Sequence, residues 1–275
     1  MTNLKETPQN NLLVVTGASG GIGRAIAQMG ADQGYSLFLQ GHRRVDELKQ
    51  FASEQFIADP TRKIEIVRAD LSREKEQDRF VESVLSTLGT TNRLAGWINA
   101  AGIDLMALSG SGATFEERLQ AIWSLDVVAA VRMSRRIGAW LGKNQPKRKT
   151  RENKSPGPTR PLILFFSWDG AFRGRRGETS LLYATAKGAV AAASKSLAQE
   201  LAPHVRVCTI SPGWIKTSWG KDASSKANCH ACSESLSRRW GTPEEIAAFV
   251  LYLMSSQADF LNGENFIANG GFRLP

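Results

Sequence analysis

Residues 12–23 read Leu-Leu-Val-Val-Thr-Gly-Ala-Ser-Gly-Gly-Ile-Gly, and this stretch constrains the fold more than any other. Leu12 to Val15 is a short apolar run of β-forming residues, which fits a strand buried on both faces in a parallel sheet. The chain then turns through Thr16 to Gly23 and opens a helix at Arg24 to Ala27. Glycine permits positive φ and the close approach of a ligand. The helix N-terminus behind the turn offers free N–H groups and the positive end of a dipole, which suits a pyrophosphate. The glycines fall at 17, 21 and 23, so the turn departs from the general Gly-x-Gly-x-x-Gly dinucleotide fingerprint. Taken alone, it is as well read as a structural glycine loop.

Downstream, strand and helix patterns alternate. Strands are expected at 35–40, 64–68, 96–99, 162–166 and 206–210. Helices are expected at 24–32, 45–56, 115–141, 182–201 and 243–254, with a further helix that runs to Leu88 behind a cap at Asp70 or Ser72. Thr242-Pro243-Glu244-Glu245 reads as a capping box with proline in the first turn. The pattern predicts an α/β fold: a single doubly wound, Rossmann-type domain, with a parallel sheet and helices on both faces. The length of 275 residues suits one such domain, and 42% apolar residues supply a full core.

The N-terminus is polar without a signal-peptide layout, and no apolar run approaches the ~20 residues of a membrane span. A cytoplasmic protein with no membrane partner is expected. The net charge of +9 is concentrated: residues 143–160 hold seven Lys and Arg against Glu152 alone. Residues 143–161, with four prolines, read as a basic inserted loop. No aromatic–basic interleaving marks a nucleic-acid surface. Cys208, Cys229 and Cys232 make neither a disulfide framework nor, with three histidines, a four-ligand zinc site, so no metal is expected.

The turn Gly41-His42-Arg43-Arg44 begins about 20 residues beyond the glycine turn, where a dinucleotide fold meets the adenosine ribose. An acid there bonds the 2′-OH of NAD, whereas arginine matches the 2′-phosphate of NADP in charge and fork geometry. His42, Arg43 and Arg44 therefore point to NADP(H), against the alternative of a solvated basic turn. Tyr183 and Lys187 lie four residues apart, one helical turn, and project from one face. An unperturbed phenol has a pKa near ~10. A neighbouring ammonium is expected to lower it. Ser167, at the end of an apolar strand, can hydrogen-bond and orient a substrate oxygen.

The turn Thr16-Gly17-x-x-x-Gly21-x-Gly23, Asn99-Ala100-Ala101-Gly102, Ser167, Tyr183-x-x-x-Lys187 and Pro212-Gly213-x-Ile215-x-Thr217 occur in this order. Together they resemble the short-chain dehydrogenase/reductase family, over about residues 12–271, with 3-oxoacyl-carrier-protein reductases the nearest general likeness. The resemblance implies a dinucleotide held by Thr16, Gly17, Ser19, Gly21, Ile22, Gly23, Asp70, Leu71, Asn99, Ala100, Gly102, Pro212, Gly213, Ile215 and Thr217. Tyr183 and Lys187 would contribute as well, beside the basic turn. It makes Ser167, Tyr183, Lys187 and Asp126 catalytic. Asp126 stands where relatives carry an Asn whose main-chain carbonyl holds a water near the lysine; Asp loses the amide donor. Residues 216–241 correspond to a substrate lid.

The implied function is NADPH-dependent interconversion of a carbonyl and an alcohol, with reduction of a 3-oxoacyl thioester as one form. The alternatives are a non-catalytic NADP-sensing or scaffold relative and a pteridine-reductase-like enzyme. Arg173, Arg175 and Arg176 lie between Ser167 and Tyr183, and suggest an anionic or carrier-bound small-molecule substrate. Family likeness implies a homotetramer or homodimer built through the 115–141 and 182–201 helices.

Overall fold

The computed structural model describes residues 11–58, 63–88, 93–105, 108, 112–144, 159–217, 220 and 223–272. Seven strands form one parallel sheet: β1 (Asn11–Thr16), β2 (Ser36–Gly41), β3 (Ile64–Arg68), β4 (Arg93–Asn99), β5 (Leu162–Phe166), β6 (Arg206–Pro212) and β7 (Asn265–Ala268). Their spatial order is β3-β2-β1-β4-β5-β6-β7. The helices are α1 (Gly21–Asp32), α2 (Val45–Ala58), α3 (Glu74–Leu88), α4 (Phe115–Ile122), α5 (Ala130–Asn144), α6 (Glu178–Leu201), α7 (Ser225–Glu234) and α8 (Pro243–Met254).

The two-residue period of a strand explains the layering. Leu12 and Val14 join Phe38, Trp97, Ile163, Phe165 and Val207 on one face, packed against Phe80 of α3, Met133 of α5 and Leu182 of α6. Leu13 and Val15 join Leu37, Leu39, Ile98, Leu164 and Ile210 on the other, against Ile26 of α1, Phe51 of α2 and Val250 of α8. Leu13, Val14 and Val15 are wholly buried. Each such side chain gains roughly 1.5–3 kcal/mol from burial, which is why an unbroken apolar run becomes the centre of the sheet.

Three elements differ from expectation. The long helix anticipated over 115–141 is α4, a π-helical turn at Trp123–Ala129, and α5; such turns often mark functional sites. α6 starts at Glu178, earlier than 182. The lid region, expected to be irregular, contains α7, capped by Ser224 and burying only Ala231. One buried residue leaves no hydrophobic period to detect. Thr242 forms its capping box with Glu245 as expected. Most of the basic insertion, residues 145–158, lies outside the described residues, and α5 ends before it at Asn144.

The register pairs Thr16 with Asn99, Asn99 with Phe165, and Phe166 with Ile210. The carboxyl ends of β1, β4, β5 and β6 therefore share one edge. Connections leave in opposite directions from β1 and β4, the switch point where open α/β sheets bind ligands.

Candidate active site

A cleft of about 880 Å³ opens along this edge. Its first wall is the glycine turn. Gly17 takes φ +63°, and a Cβ there would meet the backbone of Ala100 and Ala101 at 2.6 Å; one at Gly23 would meet the Gly17 carbonyl at 2.4 Å. No side chain caps α1 at Gly20, so its first N–H groups face the cleft without a protein cap. These features fit a dinucleotide pyrophosphate. Thr16 Oγ1 ties the turn to β4, donating to the Ile98 carbonyl at 3.3 Å and accepting from Ala101 N at 3.2 Å. Gln40, which the sequence reading passed over, is buried behind the turn. Its Oε1 accepts from Gly17 N at 2.7 Å and its Nε2 donates to the Ala69 carbonyl at 2.7 Å.

Gly21, Ile22, Gly23, Asn99, Ala100, Gly102, Pro212, Gly213, Ile215 and Thr217 all border this cleft. Arg44 also borders it, 3.7 Å from Glu47. Ser19 and Arg44 share a second hollow with Arg24 and Lys216. His42 and Arg43 remain on the exposed turn, outside both. Asp70 accepts from Ser72 N and Oγ at 3.1 and 2.6 Å, closing the turn that leads into α3. Leu71 is buried in the core.

Behind the cleft, Asn99 joins strand to helix: Nδ2 donates to the Leu164 carbonyl at 3.1 Å and to Ser134 Oγ at 2.9 Å, and Oδ1 accepts from Trp97 Nε1 at 3.0 Å. Ser167 follows β5, and its hydroxyl donates to the Lys187 carbonyl at 2.8 Å. Tyr183 and Lys187 project from α6 into the cleft. The Tyr183 hydroxyl donates to the Ile103 carbonyl at 3.2 Å, while Lys187 Nζ donates to the Phe166 carbonyl at 3.2 Å.

Asp126 alters the electrostatics. The π-helical turn carries it inward to 3% exposure. Its Oδ1 accepts from Ile103 N at 2.9 Å, and its Oδ2 lies 2.6 Å from Lys187 Nζ. The expected lowering of the Tyr183 pKa by Lys187 does not occur. Burial first, then the charges of Asp126 and Asp104, push the phenol up to about 12, against a smaller opposing hydrogen bond from the Leu105 backbone. A lysine paired with a carboxylate presents little net charge to its neighbour.

The arginine turn is braced rather than free. Arg173 pairs with the buried Asp169 at 2.5 Å and stacks 3.8 Å from the Phe272 ring. Arg175 pairs with Glu234 of α7 at 2.7 Å, and its Cζ lies 5.6 Å from the ring centroids of both Trp168 and Trp214. Of the three, only Arg176, exposed at the rim, forms no ion pair among the described residues. Steering of an anion therefore rests on one guanidinium instead of three. Trp168, directly after Ser167, and Trp214, within the Pro-Gly-x-Ile-x-Thr run, wall the cleft beside Tyr183; their positions next to motif residues were the available signal. Cys229 is exposed on α7 while Cys208 is buried in β6. No cluster among the described residues is arranged to hold a metal.

A family model described as enoyl-(acyl carrier protein) reductase matches residues 17–273. The chain belongs to the short-chain dehydrogenase/reductase family. This dehydrogenase/reductase is similar to the short-chain dehydrogenase anuF of Penicillium roqueforti, with 27% identity over 96% of each chain. It is 28% identical to the 3-oxoacyl-acyl-carrier-protein reductase of Vibrio harveyi, over 97% of this chain and 98% of that one. Among solved structures, a Brucella melitensis short-chain dehydrogenase/reductase described as glucose/ribitol dehydrogenase superposes with TM-score 0.76 and 26% identity, over 97% and 98% of the two chains. A Burkholderia cenocepacia short-chain dehydrogenase in complex with NADP shares the fold, with TM-score 0.76 and 22% identity over 95% and 96%. The dehydrogenase/reductase is thus an oxidoreductase of a family that uses NAD or NADP. Among its described residues no helix is long and apolar enough to cross a membrane.

Proposed function

We propose that this dehydrogenase/reductase interconverts a carbonyl and an alcohol with NADP(H), using Tyr183 as the proton donor. The observation that carries the reading is the convergence of Ser167, Tyr183 and Lys187 on the same cleft as the uncapped glycine turn. The dinucleotide, when bound, supplies the hydride in reduction and accepts one in oxidation. Tyr183 Oη gives its proton to the carbonyl oxygen; neutral at physiological pH, it is a competent acid. Ser167 Oγ turns from the Lys187 carbonyl to donate to the same oxygen. Lys187, held by Asp126 and the Phe166 carbonyl, fixes the polar floor beneath the phenol. Arg44 at the cleft edge, with His42 and Arg43 beside it, supports NADP over NAD. Retention of Ser167, Tyr183 and Lys187 weighs against a purely sensing role.

A second reading, reduction of a 3-oxoacyl thioester, is favoured by the likeness to 3-oxoacyl-acyl-carrier-protein reductases. NADPH oxidation against simple ketones, quinones, pterins and acyl thioesters, in wild type and Tyr183→Phe, tests both. Turnover with at least one class that the variant lacks is expected. Turnover unaffected by Tyr183→Phe would overturn the assignment.

A further inference from the structure

The lobe beyond Tyr183 has a chemistry of its own. The Trp168 and Tyr183 rings stand 6.0 Å apart at 52°. Across from them Trp214 packs edge-on against Trp240 at 5.4 Å and against His230 at 5.8 Å. Trp214 Nε1 donates to Glu234 Oε2 at 2.8 Å, the same oxygen that accepts from Arg175 at 2.7 Å. The arginine turn, the Trp214 loop and α7 are therefore locked together through Glu234, and the indole is held in place before any ligand arrives. Walls fixed in advance lose little freedom on binding.

Three of the carboxylates in the lobe already hold a cation. Asp104, Asp126, Asp169 and Glu234 all border the cleft. Lys187, Arg173 and Arg175 are engaged with the last three. Past Arg176 at the rim, a carboxylate or phosphate would meet carboxylates whose cations are already taken, and would lose its own hydration without a partner there. Trp168 and Trp214 border the cleft, each with Arg175 Cζ 5.6 Å from its ring centroid, and give it aromatic surface.

We propose that this lobe takes a flat, uncharged ring system, carried by the substrate as the substituent on its reacting carbonyl. This rests on the reading above only in placing that carbonyl at Tyr183. Aromatic stacking against Trp168 and Trp214 then selects a planar substrate over a saturated or an anionic one. Each such contact is worth roughly three- to tenfold in affinity.

The experiment compares matched bicyclic ligands by calorimetry on the full chain saturated with NADP: naphthol, its saturated counterpart decalol, and naphthoate. Naphthol should bind about tenfold or more tightly than decalol, and more tightly than naphthoate. Trp168→Leu and Trp214→Leu should each reduce the naphthol-to-decalol ratio at least threefold while NADP affinity, the check on folding, is kept. Equal binding of naphthol and decalol, a preference for decalol, no binding of either, or an unchanged ratio in both variants would overturn the proposal. Tighter binding of naphthoate would overturn its uncharged part. Turnover of tetralone against decalone, with Tyr183→Phe, is read separately. Loss of all ketone turnover with the naphthol preference intact would refute the activity and leave the lobe's selectivity standing.

Discussion

Asp126 Oδ2 and Lys187 Nζ stand 2.6 Å apart, joining a π-helical turn to α6. Paired in this way, Lys187 presents little net charge to its neighbours, and, after burial, the charge of Asp126 helps to raise the phenol. In the proposed reaction, oxidation of an alcohol needs Tyr183 as phenolate, whereas reduction needs it protonated. With the phenol pushed up to about 12, the base form gathers only at high pH. Removing the Asp126 charge favours the phenolate, so Asp126→Asn should move the rise of alcohol-oxidation kcat/KM to lower pH. It should also make reduction fall off at lower pH. Superimposable pH profiles for the two proteins would show that Asp126 does not tune Tyr183.

Tyr183→Phe removes the transferable proton and little else. Turnover should fall by a factor of about 100 or more, with NADPH affinity, measured by fluorescence, close to wild type. Lys187→Ala leaves Asp126 buried without its cation, a strongly destabilising change of roughly 3–5 kcal/mol. A lower melting temperature together with lost activity is therefore expected for Lys187→Ala, whereas Tyr183→Phe should lose activity alone.

Arg44 borders the cleft and Arg43 does not. Arg44→Ala should weaken NADPH binding roughly ten- to a hundredfold, the worth of one charge-assisted phosphate contact, and leave NADH nearly unchanged. Arg43→Ala should have the smaller effect. Titration of both cofactors against both variants decides it; equal wild-type affinity for NADH and NADPH would remove the basis for NADP preference.

Gly17→Ala should abolish dinucleotide binding and lower stability. The φ of +63° is strained for alanine, and its Cβ would have to displace the Ala100–Ala101 backbone, 2.6 Å away. Differential scanning fluorimetry with and without NADPH would show a lower midpoint and no shift on cofactor addition.

Glu245 closes the cap of α8, and the Arg239 hydrogen bond, then that of Thr242, hold its carboxyl down at about 2, against an ordinary 4.5. The unfolded chain binds that proton more readily than the folded one, so the stabilisation is full above pH 4.5 and is lost as pH falls toward 2. Both side chains are about half exposed, and screening limits the pair to less than about 1 kcal/mol. Thr242→Ala should cost about 1 kcal/mol and lower the melting temperature by about 2–4 °C. Glu245→Gln should flatten the acid limb of the melting curve; an unaltered limb would place that stability elsewhere.

Local pattern carried most of the fold. Unbroken apolar runs at Leu12–Val15 and Leu162–Phe166, helical repeats between them, and the Thr242 cap are encoded within a few residues of one another. The glycine turn, Ser167 and the Tyr183–Lys187 pair were legible for the same reason, since their spacing along one strand end or one helix face is itself the geometry. α7 escaped notice because it buries one alanine and owes its place to Glu234, which is held by Arg175 and Trp214 from other parts of the chain.

The order of residues along the chain was enough for a doubly wound sheet and for the edge where Ser167, Tyr183 and Lys187 meet the glycine turn, because each depends on contacts between near neighbours in the chain. How charge is distributed there follows from the folded arrangement. Asp126 meets Lys187, Arg175 meets Glu234, and Arg44 rather than Arg43 borders the cleft. Coulombic and stacking interactions act through space over a few ångströms, and residues tens of positions apart reach that distance only after the sheet and its helices have closed around them.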